Sequence, residues 1–308
     1  MNRRTFLTHT ALWGAALAAY PTFAYTPSQK KLKISLAQWS LHREIEKGTT
    51  DPLLFAKVAM EKYGIKAIEY VNQFYVDHAT DEKFWQEMKR KADDAGVSSL
   101  LIMIDDEGDL GDGNERKRNK AVENHYKWVH AAKLMGCHSI RVNAFGAKKE
   151  EKFRPALAES MGRLAGYASK ENINVVIENH GLFSSNAKLI AEIIEEVDMP
   201  NFGSFPDFGN WCTSAKWGST QIPCEEAYDV YEGVATLLPY AKAVSAKSYN
   251  FTENGEHPLI DYKKMLKIVK DSSYDGYIGI EYEGSSHSEH DGILATKALM
   301  EKVWAELT

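Results

Sequence analysis

From about residue 32 onward, short apolar runs alternate with longer stretches in which apolar residues return every third or fourth position. A short apolar run suits a buried strand, whereas the three-to-four repeat turns one stripe of a helix toward a core. The alternation predicts strands at Lys33–Gln38, Ala67–Val71, Ser99–Ile104, Ser139–Asn143, Asn174–Glu178, Gly203–Pro206, Ala243–Lys247 and Tyr277–Glu281. Between them, Phe84, Met88 and Ala92 fall at i, i+4 and i+8, and Tyr262, Met265, Leu266 and Val269 fall at i, i+3, i+4 and i+7. Both sets are core-facing helix stripes. Gly64, Gly96 and Gly136 each stand just before the next apolar run, where a helix commonly closes on a left-handed residue. Strand and helix repeated in this way on a chain of this length predict an α/β fold, a (β/α)8 TIM barrel, with its chemistry at the C-terminal ends of the strands. A doubly wound open sheet is the alternative, but no strand is followed by G-x-G-x-x-G or by a phosphate loop.

Composition narrows the field further. The chain has 308 residues, 44% of them hydrophobic and 26% charged, with no Pro/Gly/Ser-rich linker inside the alternating region. One barrel domain over residues 25–308 follows. A formal net charge of -6 offers no clustered basic footprint for phosphates, so nucleic acid is not expected as a partner. Ahead of the barrel, Arg3-Arg4-Thr5-Phe6-Leu7, an apolar run from Ala11 to Tyr20 and the small-residue end Thr22-Phe23-Ala24 resemble a twin-arginine export signal. Residues 1–24 are therefore expected to be removed, leaving a periplasmic or otherwise exported protein. The apolar run falls short of the ~20 residues a membrane span needs, so no stable membrane anchor is expected after cleavage. Cys137, Cys212 and Cys224 are too few for a disulfide framework, with Cys212 to Cys224 as the one conceivable bridge. Whether the chain forms a homo-oligomer stays open.

The strand ends carry the candidate chemistry. Strand five ends Val175-Val176-Ile177-Glu178-Asn179-His180-Gly181, and the period of two puts Glu178 and His180 on the same face. Strand six ends Phe205-Pro206-Asp207-Phe208-Gly209-Asn210-Trp211, and strand eight ends Ile280-Glu281-Tyr282-Glu283-Gly284. Carboxylates at neighbouring mouths of one barrel repel unless a divalent cation lies between them. The plainer alternative pairs each with a basic residue at the rim.

The segments Ile177–Gly181, Pro206–Asn210, Val244–Tyr249 and Ile280–Gly284 resemble the strand-end motifs of the sugar phosphate isomerase/epimerase family within the xylose isomerase-like barrels. The resemblance implies a divalent metal, commonly Mn, Mg, Co or Zn, held by a Glu, an Asp, a His and a Glu from strands five to eight. Glu178, Asp207 and Glu281 take three of those places. The strand-seven place holds Ser245 instead of His, with Lys247 two residues on. The resemblance also implies Glu178 and Glu281 as the base and acid pair, with His180 and Lys247 orienting oxygens or stabilising negative charge. Gln38, Glu69, Arg141, Asn143, Asn210, Trp211 and Glu283 form the expected substrate-binding wall. His42, Asn72 and Asp105 stand near it, and Trp39, Tyr70, Trp211 and Tyr249 are candidate aromatic faces for sugar C–H surfaces.

The expected activity is a metal-dependent isomerase or epimerase acting on a small-molecule sugar or sugar-derived carbonyl compound, by proton abstraction and enediolate stabilisation. A lyase or hydrolase of oxidised (keto) glycosides would use the same site. A non-catalytic carbohydrate-binding barrel is the third reading, and a DNA-repair barrel is disfavoured by the lack of a His-rich centre and a basic groove.

Overall fold

In the computed structural model, residues 30–307 are described, and the expected leader at residues 1–24 lies outside them. The barrel strands are β1 (Ile34–Ala37), β2 (Ala67–Val71), β3 (Ser98–Ile104), β4 (Ser139–Asn143), β5 (Asn174–Glu178), β6 (Phe202–Phe205), β7 (Val244–Ser248) and β8 (Ile278–Tyr282). Each is followed by its helix: α1 (Phe55–Tyr63), α2 (Glu82–Asp94), α3 (Glu115–Met135), α4 (Glu150–Ala168), α5 (Ala187–Val197), α6 (Val230–Leu237), α7 (Tyr262–Asp271) and α8 (Glu289–Glu306). All pairings are parallel, in the order β6-β5-β4-β3-β2-β1-β8-β7. The two ends of that order meet through backbone bonds, Lys242 N to Ser204 O at 3.1 Å, Ser245 N to Pro206 O at 3.0 Å and Phe208 N to Ser245 O at 3.0 Å. The sheet is therefore a closed cylinder.

Three expected strands move by one residue, β6 toward the N-terminus and β7 and β8 toward the C-terminus. β6 stops at Phe205 because Pro206 has no N–H to donate to a ladder. β7 runs one residue further than expected, so that Ser248 pairs with Tyr282.

Local chemistry fixes the helix ends. Asp81, Asn114, Asn186, Asp229, Asp261 and Ser288 each accept a bond from a first-turn N–H of the helix that follows. Gly64 and Gly136 close α1 and α3 at φ 66° and 74°, as the sequence indicates.

Alternation along the strands divides the core in two. Outward-facing residues such as Ile68, Ile102, Ile140, Ile177 and Ile280 pack under the helices. Ala37, Val71, Leu101, Met103, Val176, Phe205 and Ala243 fill the cylinder itself. Among these inward residues sits Glu69, fully buried, whose Oε1 accepts a 2.6 Å bond from Ser35 Oγ. Gly279 makes the room, since a Cβ there would lie 2.6 Å from the same oxygen. Burial without a cationic partner in contact lifts the Glu69 carboxyl to about 8.

Candidate active site

On β5, β6 and β8 the apolar run ends where the barrel opens, and the inward carboxylate that follows it lies at the mouth. On β5 that residue is Glu178, fully buried. Its Oε2 lies 2.8 Å from Arg141 Nε on β4, and its Oε1 receives Asn210 Nδ2 at 3.3 Å. Burial drives the Glu178 carboxyl well above its ordinary range, with Arg141 pulling it down and Glu281 and Asp207 pushing it further up.

His180, two residues on, shares that face as the strand period requires. Asn143 donates its amide nitrogen to Asp105 Oδ1 at 2.6 Å, so its oxygen faces His180 Nδ1 at 2.6 Å and accepts that proton. The tautomer is thereby set, leaving Nε2 unprotonated, 3.3 Å from Glu178 Oε1. Burial, and then the charges of Arg141, Lys247 and Lys216, hold His180 well below its usual range. A proton or a cation between Nε2 and Oε1 turns that contact attractive.

Asp207 is anchored by its backbone. Asn179 accepts Asp207 N through its side-chain oxygen at 2.7 Å and donates back to Asp207 O at 3.1 Å. Gly209 N satisfies Oδ1 at 2.7 Å, whereas Oδ2 is buried without a hydrogen-bond partner. Burial raises the Asp207 carboxyl to about 7, against the pull of Lys247. On β8, Glu281 Oε1 accepts Lys247 Nζ at 2.9 Å and Oε2 accepts Ser245 Oγ at 3.1 Å. The same ammonium donates to Glu283 Oε1 at 3.0 Å. Burial alone would lower the Lys247 ammonium, but Glu281, Glu283 and Asp207 hold it well above its ordinary value. Glu283 is half-buried, and against the upward push of burial Lys247 holds it below its ordinary value.

Oxygens of Glu178, Asp207 and Glu281 all lie within 4.8 Å of one another. Hard divalent ions bind oxygen at roughly 2.0–2.6 Å, so ligands across an ion stand up to about 5 Å apart. The unpartnered Asp207 Oδ2 fits that donor set. Charge agrees: five carboxylates, Asp105, Glu178, Asp207, Glu281 and Glu283, stand against two cations in contact with them, Arg141 and Lys247. The cluster could therefore hold a divalent metal of any of several identities. Both readings of the sequence apply in part, because two of the three acids also have a basic partner.

A cavity of about 340 Å³ opens above this cluster, and Arg141, His180, Asn210, Lys247, Glu281 and Glu283 line it. Four expected substrate-binding residues are not in that wall. Gln38 is buried, donating to Tyr75 OH at 2.7 Å and accepting Val71 N at 3.1 Å, which braces β1 to β2. Glu69 lies inside the cylinder. Trp211 is fully buried against Gly233, where a Cβ would sit 2.3 Å from its ring. Asn143 is set one layer behind, positioning His180. Of the aromatic candidates, Trp39 lines the cavity, Tyr70 belongs to the outer core, and Tyr249 is buried beside it with its hydroxyl accepting from Ser219. His42 and Asp105 also line the cavity.

The sequence reading overlooked Trp217, Ser219 and Gln73, which complete the wall. Trp217 and Ser219 sit in the long connection between β6 and α6, where no periodic pattern marks a side chain as inward. Cys212 and Cys224 are bridged within that connection, the pairing left open above. Among the described residues, no helix is long and apolar enough to cross a membrane.

Residues 58–303 match the family model described as the xylose isomerase-like TIM barrel. The chain is 24% identical to the 3'-dehydrocarminate deglycosidase alpha subunit of a Microbacterium species, over 65% of this chain and 73% of that protein. Its fold is similar to D-psicose 3-epimerase from Clostridium cellulolyticum H10, solved with D-tagatose, at a TM-score of 0.69 and 13% identity over 89% of this chain and 99% of that one. It is also similar to 3-keto-D-glucoside 4-epimerase from E. coli, at a TM-score of 0.65 and 15% identity over 88% of this chain and 100% of that one.

Proposed function

The chain belongs to the xylose isomerase-like TIM-barrel family, and from that premise we propose that it is an isomerase or epimerase acting on a sugar-derived carbonyl compound, by removal of a proton beside the carbonyl. The observation that carries this reading is the convergence of Glu178, Asp207 and Glu281 from β5, β6 and β8 with two buried cations between them. A divalent ion of the Mn, Mg, Co or Zn kind would be held by those three carboxylates and, when bound, would supply positive charge to the substrate oxygens.

The protein's own groups account for the rest. Glu178, held far above the ordinary carboxylate range by burial, is a strong base when ionised and keeps the proton it takes. Once protonated, its Oε1 would donate a hydrogen bond to His180 Nε2, which the Asn143 contact leaves as an acceptor. Arg141 and Lys247 stay charged and would face the oxygen on which negative charge grows. Glu281, arriving from the other side of the mouth, would return a proton taken up from water to the opposite face of the carbon, which inverts that centre. A proton returned instead to the former carbonyl carbon, with the hydroxyl proton passing to the old carbonyl oxygen, moves the carbonyl to the carbon that lost its proton.

The deglycosidase name of the 24% identical relative favours one second outcome. After the same proton removal, the electron pair forms a carbon–carbon double bond and expels the group one carbon further on, which leaves with a proton from a site acid. The Cys212–Cys224 bridge supports an oxidising compartment for this activity, in keeping with export by the twin-arginine route.

The test is incubation in deuterated water with free ketohexoses and with methyl 3-keto-glucoside, read by mass spectrometry and NMR, beside elemental analysis of the purified protein. Deuterium at the carbon beside the carbonyl, in a product that differs in mass from the substrate only by that exchange, is expected, lost in Glu178→Gln. Release of methanol would assign the second outcome. Binding without exchange or product would overturn both in favour of a non-catalytic carbohydrate-binding barrel.

A further inference from the structure

The β6–α6 connection, residues 206–229, is a folded arm rather than a slack loop. Cys212 N donates to Gly218 O at 2.9 Å, Thr220 N to Gly209 O at 2.9 Å and Tyr228 N to Trp211 O at 2.9 Å, and the Cys212–Cys224 disulfide clasps it. Its tip is pressed onto the end of β5. A Cβ on Gly181 would lie 2.0 Å from Ala215 O, and one on Gly218 would lie 2.5 Å from Gly181 N, so the two backbones touch with no room for side chains. Between them Trp217 adopts φ 70°, a left-handed conformation that a bulky residue takes only when its surroundings impose it.

What that strain delivers is an aromatic ring at the rim of the site. The Trp217 ring lies 5.3 Å from His180 and 5.3 Å from Phe145, edge to face with both, and Lys216 Nζ is 4.9 Å from its centre. It remains 41% exposed. On one side Trp217 lines the polar cavity above Glu281 and Lys247. On the other its neighbour Phe145 lines a second cavity of about 460 Å³, walled by Phe153, Leu182, Phe183 and Tyr228. A ligand that reaches from the first cavity to the second crosses the Trp217–Phe145 pair.

We propose that Trp217, presented by the disulfide-clasped arm, is the binding platform for the non-sugar part of the substrate, and that the site takes keto-glycosides with a flat apolar aglycone in preference to free sugars. The inference rests on the carbonyl-sugar reading above and adds the substrate class to it. The polar cavity supplies donors and acceptors for one sugar ring. Outside it the surface turns largely aromatic and aliphatic, so an aryl group stacked on it is matched over its whole face, whereas a second sugar would stack one C–H face and leave most of its hydroxyls without partners.

The experiment measures equilibrium binding of 4-nitrophenyl and methyl 3-keto-glucoside to the full chain by calorimetry. For the native protein the aryl compound is expected to bind about tenfold tighter, as an aromatic contact provides. Trp217→Ala should bring that ratio close to one by weakening the aryl compound more than the methyl compound, Trp217→Phe should keep most of it, and the double change Cys212→Ser with Cys224→Ser should narrow it. Equal affinity of the two compounds for the native protein, or a ratio indifferent to Trp217→Ala and to loss of the bridge, overturns the platform. If neither compound binds the native protein, the carbonyl-sugar reading itself falls and takes the platform with it.

Discussion

Lys247 and Glu281 stand opposite one another in register on β7 and β8, and their side chains close a buried ion pair of 2.9 Å at the mouth of the barrel. Asp207 is tied to β7 by a bridge with Ser245, the residue two positions before that lysine. A fixed positive charge therefore stands beside the acids at the strand where the family resemblance leads one to expect a histidine ligand. The site holds cationic charge of its own at all times, and a metal ion bound there would add to that charge rather than supply all of it.

Replacing Lys247 by Gln should expose that design. Glu281 and Glu283 would lose their buried partner, and breaking a buried pair from one side costs about 3–5 kcal/mol. Denaturant unfolding of metal-free protein should show a loss of that order. Added divalent metal should recover more stability in Lys247→Gln than in the native protein, because a competing charge has gone. Equal recovery in the two would show that the ammonium and the ion do not share a site.

If the acid cluster takes a metal as proposed, Asp207 should set how that binding varies with pH. Its carboxyl is lifted to about 7 by burial, so in metal-free protein it holds its proton through the acidic range. The folded form then binds more protons than the unfolded form between the ordinary value of 3.8 and about 7, and stability falls as pH rises through that window. A metal needs the ionised form, so affinity should climb from pH 6 to 8. Titration calorimetry across that range checks it, with Asp207→Asn expected to bind far more weakly and without that rise. A flat profile in the native protein would remove Asp207 from the ligand set.

Glu69 gives a second pH dependence, separate from the site. Burial raises it from 4.5 to about 8, so the native state retains a proton that the unfolded chain has released. Stability should decline between those limits by up to about 1.4 kcal/mol per pH unit for the one proton. Glu69→Gln keeps an oxygen for Ser35 and has nothing to ionise, so it should flatten this part of the profile and raise stability at pH 8 relative to pH 5. Parallel profiles of the two proteins in urea unfolding would contradict the assignment.

The parts of this molecule that repeat were legible in its sequence, and the parts that depend on one tertiary contact were not. Alternation placed all eight strands because burial on both faces of a barrel strand leaves an apolar run. It also put Glu178, Asp207 and Glu281 at the mouth, since each is a carboxylate that follows such a run, while Lys247 entered through the family resemblance. It misplaced Gln38 and Glu69 because a polar residue on a strand can face the cylinder or a neighbouring strand's edge as well as the cavity, and only packing decides. Trp211 and Trp217 show the same limit in a connection without period. The first is swallowed by the gap at Gly233, and the second is lifted into the site by two glycines far apart in the chain.

That last arrangement can be weighed with an internal control. Gly64 and Gly218 have nearly the same backbone angle, φ 66° and 63°, yet a Cβ at Gly64 would meet nothing within 4 Å, whereas one at Gly218 would lie 2.5 Å from Gly181 N and 2.7 Å from Asn210 O. Gly64→Ala should therefore cost only the left-handed conformation, about 1 kcal/mol. Gly218→Ala should cost that and the backbone collision as well, which no rotamer change relieves. The excess is expected to appear as displacement of the arm more than as global unfolding, because the arm is the part free to give way. Thermal unfolding should separate the two variants modestly. Protease nicking between residues 213 and 223 should separate them sharply, with Gly218→Ala cut faster while Gly64→Ala matches the native rate. Equal nicking of both would mean that the Gly181–Gly218 contact does not hold the arm in place, and the ring it carries would need another explanation for its position.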